Sequence, residues 1–130
     1  MVAYNGEYKL ETSENFDEYM KAVGVGMLTR KAAASATPVL TVTVDGDHWK
    51  IKQVTSFKTH EEEFTIGVEQ EKSTPDGRKV KSIVTKEGDK IIDKQVGDKT
   101  SIIIREFSDA GITSIATVDN ISCKRFYKRQ

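Results

Sequence analysis

The sequence predicts an all-β fold, an antiparallel sandwich or barrel, with one helical segment near its N-terminus. Three observations carry that reading. From Asp45 onward, turn signals recur about every ten residues. The runs between them are short and rich in Val, Ile and Thr, which suit a pleated surface. The 130 residues contain only two prolines, so the strands can pair largely without interruption.

The helical segment comes first, at about residues 15–36. Asn15 is expected to cap a helix whose first turn holds Asp17 and Glu18. Phe16, Tyr19, Met20 and Val23 recur at helical spacing as one apolar stripe. Gly24 is placed to end that helix. A second helix is expected from Met27 to Ala36, rich in helix formers, with Pro38 closing it. Strands then alternate with turns at Asp45-Gly46, Pro75-Asp-Gly77, Glu87-Gly-Asp89, Gly97-Asp98, Asp109-Ala-Gly111 and Asp119-Asn120. Val39–Val44 and Val80–Thr85 are representative strands. The pattern gives nine or ten in all.

One domain over residues 1–130 is expected from the length. Lys plus Arg (20) balance Asp plus Glu (20), so the charge offers no basic excess for nucleic acid. A single cysteine, Cys123, rules out an internal disulfide and suits a reducing compartment. The opening Met-Val-Ala-Tyr-Asn-Gly-Glu lacks the basic start and apolar run of a signal peptide. No apolar stretch approaches the ~20 residues that span a bilayer. A cytoplasmic monomer is the resulting expectation.

Two arginines break the apolar pattern. Arg105 shares a strand face with Ser101, Ile103 and Phe107, and Arg125 shares one with Ile121, Cys123 and Tyr127. A guanidinium on such a face is costly unless an anion meets it. The anion is either a ligand carboxylate or phosphate, or an internal acid. Glu106 points to the opposite face from Arg105. Asp93 shares a face with Ile91 and Gln95 and is the better internal candidate. Gln53, Gln95, Ser114 and Tyr127 also place polar groups on the candidate inner faces, which fits a water-containing cavity better than a dry core.

Three segments carry a resemblance to a known family. They are Gly6–Met20 with its Asn15-Phe-Asp17, Gly24–Arg30 with Pro38, and the pair Ile104-Arg-Glu106 and Arg125-Phe-Tyr127. Ser56-Phe-Lys58 and Asp76–Val84 extend it over nearly the whole chain. The sequence resembles the intracellular fatty-acid-binding proteins, the cytosolic lipid-binding branch of the calycin superfamily. The resemblance implies a ten-stranded antiparallel up-and-down barrel, or clam, with a helix-turn-helix lid. It implies transport of one long-chain fatty acid, its carboxylate held by Arg105, Arg125 and Tyr127. Phe16, Tyr19, Met20, Thr29, Pro38, Phe57, Asp76, Ile103, Ser114 and Ala116 would line the ligand or its portal.

Departures from the family pattern include Ser114 and Ala116, where many relatives carry larger aliphatics, and the bulky Leu40 and Trp49. Lys21, Lys31 and Lys58, with Arg30, could form a basic rim for transient membrane contact through the lid. Asp17, Glu18 and Glu61–Glu63 would weaken its field, and an ordinary solvated surface is the simpler reading. No cluster has metal-ligand spacing, no phosphate loop or nucleophile motif occurs, and no cofactor or enzymatic activity is expected. Cys123 reads as a small interior residue, and His48 and His60 fall beside turns. Two other functions fit the residues. One is a carrier of retinoic acid, which the same arginines and tyrosine would suit. The other is an interaction barrel without ligand capacity, which an Asp93–arginine pair would favour.

Overall fold

A computed structural model describes residues 3–130. Ten strands form one antiparallel sheet: β1 (Gly6–Glu14), β2 (Val39–Asp45), β3 (His48–Val54), β4 (Thr59–Thr65), β5 (Gln70–Ser73), β6 (Lys79–Glu87), β7 (Lys90–Val96), β8 (Thr100–Phe107), β9 (Gly111–Val118) and β10 (Ile121–Arg129). Two helices, α1 (Phe16–Ala22) and α2 (Met27–Ser35), separate β1 from β2. The ladder order is β4-β3-β2-β1-β10-β9-β8-β7-β6-β5, so sequence neighbours pair and β1 with β10 brings the sheet round. The barrel is nearly closed. Between β4 and β5 no backbone ladder forms, and side chains span the seam instead. Gln70 Nε2 donates to the Glu63 carbonyl at 2.7 Å, and Lys72 Nζ meets Glu62 Oε2 at 3.3 Å.

The interior fills unevenly. At one end Tyr8, Trp49, Phe64, Ile91, Phe107 and Ile112 belong to a dense cluster. Trp49 stacks on Phe64 with centroids 6.0 Å apart. At the other end α1 sets Tyr19, Met20 and Val23 against Ala116, Val118 and Cys123. This is the apolar stripe expected from helical spacing.

Asn15 departs from the expected cap. It occupies the N-cap position, but its side chain makes no capping bond to the helix. Its backbone is left-handed (φ 63°), which Asn tolerates, and its Nδ2 donates instead to the Ser122 carbonyl at 3.0 Å. The lid is thereby tied to the start of β10. Gly24 follows the C-cap with φ +97° and ends α1 as expected. Arg30 of α2 bonds Asp17 at 3.1 Å and the Val25 carbonyl at 2.7 Å, so it braces the two helices rather than joining a free basic rim. No helix among the described residues is long and apolar enough to cross a membrane.

Candidate functional site

Strand register puts the two arginines in one transverse row. Arg105 of β8 lies opposite Ser114 of β9, and Ser114 lies opposite Arg125 of β10. Their Cα atoms are thus two ladder spacings apart, about 10 Å. All three side chains project to the same face, with a serine small enough to leave room between two guanidinium groups. Tyr127 follows Arg125 on that face.

Arg125 is buried, and no protein acceptor meets its Nε. Its guanidinium lies 3.7 Å from the centroid of the Phe16 ring and 5.7 Å from that of Tyr127. Aromatic faces lower the cost of burying the cation without supplying an anion. Arg105 also lacks an ion-pair partner among the described residues. Arg105 is half-buried and acts on the Asp93 carboxylate without bonding it, while Arg125 is the more deeply buried of the two cations.

Asp93 does not pair with an arginine. It is 0% exposed and accepts from Lys72 Nζ at 2.7 Å, Ser82 Oγ at 2.6 Å and Gln95 Nε2 at 2.9 Å. Burial would raise its carboxyl, but Lys72 and Arg105, with bonds from Lys72 and Ser82, hold it below the ordinary value of 3.8. Lys72 is shared with Glu62, and both side chains are more than nine-tenths buried. Glu62 therefore faces inward, while Glu61 and Glu63 stay at the surface, where Glu61 meets Lys50 and Glu63 meets His48.

A cavity of about 370 Å³ opens beneath the lid. Of the residues singled out from the sequence, Phe16, Met20, Thr29, Pro38, Phe57, Asp76 and Arg125 line it. Phe57 stands 59% exposed at its mouth. The structure places Tyr19, Ile103, Ser114, Ala116, Arg105 and Tyr127 off this wall. Tyr19 turns into the barrel, and its hydroxyl donates to Ser101 Oγ at 2.9 Å, latching the lid to β8. Ile103 and Ala116 pack with the lid cluster. Asp76 bonds Thr74 and pairs with Arg78 at 2.8 Å, so its charge is answered locally.

Sequence reading missed Leu28, Ala32, Ala33 and His60 on the wall. The alanines of α2 were legible only as helix formers, although their small size is what leaves space under the lid. His60 alternates with Glu62 and Phe64 on β4, a pattern hidden by the polar run Thr-His-Glu-Glu-Glu. Cys123 is buried, and burial pushes its thiol up to about 11, as suits an inert interior residue.

The model of the lipocalin / cytosolic fatty-acid binding protein family matches residues 5–130. A fatty acid-binding protein of Tyrophagus putrescentiae is 50% identical, over 100% of both chains. The sodium/calcium exchanger regulatory protein 1 of Doryteuthis pealeii is 48% identical, over 95% of this chain and 94% of that one. Among solved structures, a Schistosoma mansoni fatty acid binding protein in complex with arachidonic acid superposes with a TM-score of 0.94 at 36% identity, covering 98% of this chain and 96% of that one.

Proposed function

The chain belongs to the lipocalin / cytosolic fatty-acid binding protein family, and from that premise we propose that it carries a long-chain fatty acid inside the barrel. The carboxylate meets Arg125 and Arg105, with Tyr127 as a neutral donor. The observation that carries this reading is the Arg105–Ser114–Arg125 row with its buried, unpartnered guanidinium. The acyl chain runs toward the lid cavity, past Phe16 and Met20, and leaves by Phe57.

Burial is worth about 0.8 kcal/mol per methylene, so a ~16-carbon chain offers a gross ~12 kcal/mol before ordering costs. The tail supplies affinity, and the arginines choose acids over esters. Arg125→Gln is expected to weaken palmitate binding by about tenfold or more, roughly 1.4 kcal/mol, while methyl palmitate changes little. Calorimetric titration of both ligands tests this; equal losses would remove the carboxylate site. Asp93 paired with Lys72 leaves both arginines available, which supports a ligand-binding barrel over an inert one. Oleate and retinoic acid compared in displacement assays separate the fatty-acid reading from the retinoid one. We place the carrier in the cytoplasm as a monomer, with the exposed Leu28 and Phe57 touching membranes transiently during transfer.

A further inference from the structure

Among the described residues, five charged side chains face the middle of the barrel interior, with Arg129 beyond them over the Tyr8 ring and bonded to backbone carbonyls. Three are cations, Lys72, Arg105 and Arg125, and two are anions, Glu62 and Asp93. Asp76 and Arg78 neutralise each other at the portal, and Lys58 stands at the cavity mouth. His60 also lies on the cavity wall. Lys72, Arg105 and Arg125 thus exceed Glu62 and Asp93 by one positive charge. Asp93 and Arg105 lie on adjacent strands in diagonal positions, because Asp93 is opposite Ile103. Such neighbours are about 7–8 Å apart, near enough to couple in a poorly solvated space.

We infer that the Glu62–Lys72–Asp93 cluster is a charge selector: it limits the anion site to ligands bearing a single negative charge. A monoanion brings these five charges to neutrality. A dianionic headgroup leaves an unpaired negative charge beside two buried carboxylates, and a buried unpaired charge is costly. The cluster is built for permanence. Asp93 has no exposed surface and three donors, and Lys72 is held from two sides. It also retains unmet acceptors, Glu62 Oε1 and Gln95 Oε1. These oxygens add to the negative potential around Lys72 and Asp93.

This inference rests on the anion site proposed above, and the test separates the two. Hexadecyl sulfate and hexadecyl phosphate share a tail and a tetrahedral headgroup. At about pH 8, above the ~6 second ionisation of a phosphate monoester, they differ by one charge. Wild-type protein is expected to bind the sulfate about tenfold more tightly or better, and Asp93→Asn and Glu62→Gln are each expected to cut that preference by about tenfold. The ratio is the readout, because a loosened fold weakens both ligands alike. A wild-type protein without the preference, or a preference unchanged in both variants, overturns the selector. If Arg125→Gln fails to distinguish palmitate from its methyl ester, the anion site itself falls. If it does distinguish them and the sulfate-to-phosphate ratio stays put, only the selector falls.

Discussion

A buried carboxylate costs several kcal/mol unless cations and donors meet it, and Asp93 is met by three donors. Its depressed ionisation sets the sign of its pH response. The stabilisation is present above the ordinary carboxylate value of 3.8 and is lost as pH falls through the lower folded-state value. Asp93→Asn is expected to cost about 2 kcal/mol near neutrality, with the gap to wild type closing in acid. Urea unfolding at a series of pH values measures this; a constant gap would contradict it. Cys123 has the opposite sign. Its stabilisation holds below the ordinary thiol value of 9.0 and declines as pH rises toward about 11. At pH near 8 a thiol reagent should label the folded protein about a hundredfold more slowly than the unfolded chain. Asp93 was legible as an inward acid because it alternates with Ile91 and Gln95. Its partner was not, since Lys72 sits in the polar four-residue strand Gln-Glu-Lys-Ser, where no apolar alternation marks a face.

At the level of elements, the lid is held by two long-range bonds, Tyr19 to Ser101 and Asn15 to Ser122. Tyr19→Phe should cost about 1 kcal/mol, the worth of a buried hydrogen bond, and should speed ligand release. Stopped-flow displacement measures the release; an unchanged rate would show that the latch does not gate it. The start of β9 is tighter still. Gly111 has φ +153°, and a Cβ there would lie 2.0 Å from the Tyr127 carbonyl oxygen. Gly111→Ala is expected to destabilise by about 3 kcal/mol, visible as a lower midpoint in chemical unfolding. The helices were legible because both the apolar stripe and the glycine stop are local. The true role of Asn15 was not, because its partner is remote in sequence and the residue suits an ordinary cap equally well.

For the whole barrel, the weak line is the seam between β4 and β5. The other adjacent strand pairs share backbone ladders, while this one depends on Gln70 and Lys72 reaching across. Amide hydrogens at the seam edges of β4 and β5 should therefore exchange before those of β8, β9 and β10, by about tenfold or more, in exchange monitored by mass spectrometry. Uniform protection around the barrel would contradict this. The antiparallel class was legible from the turns, each of which precedes or follows an observed strand. Closure was not, because the β1–β10 pairing joins opposite ends of the chain, and neither strand's pattern names its neighbour. The ten-stranded count came with the family resemblance.

The arginine row has a consequence for how this chain tolerates change in length. Its alignment depends on two neighbouring hairpins keeping step, so the site is addressed by counting along the strands. An extra residue at the Asp119-Asn120 tip leaves the ladder free to re-form, and the row survives. The same residue inserted between Gly111 and Ser114 exchanges the faces of β9 wherever the slip persists, turning the serine outward and Thr113 or Ile115 toward the guanidinium groups. The binding chemistry is therefore more sensitive to insertions in a strand with no charged side chain than to many substitutions on the cavity wall.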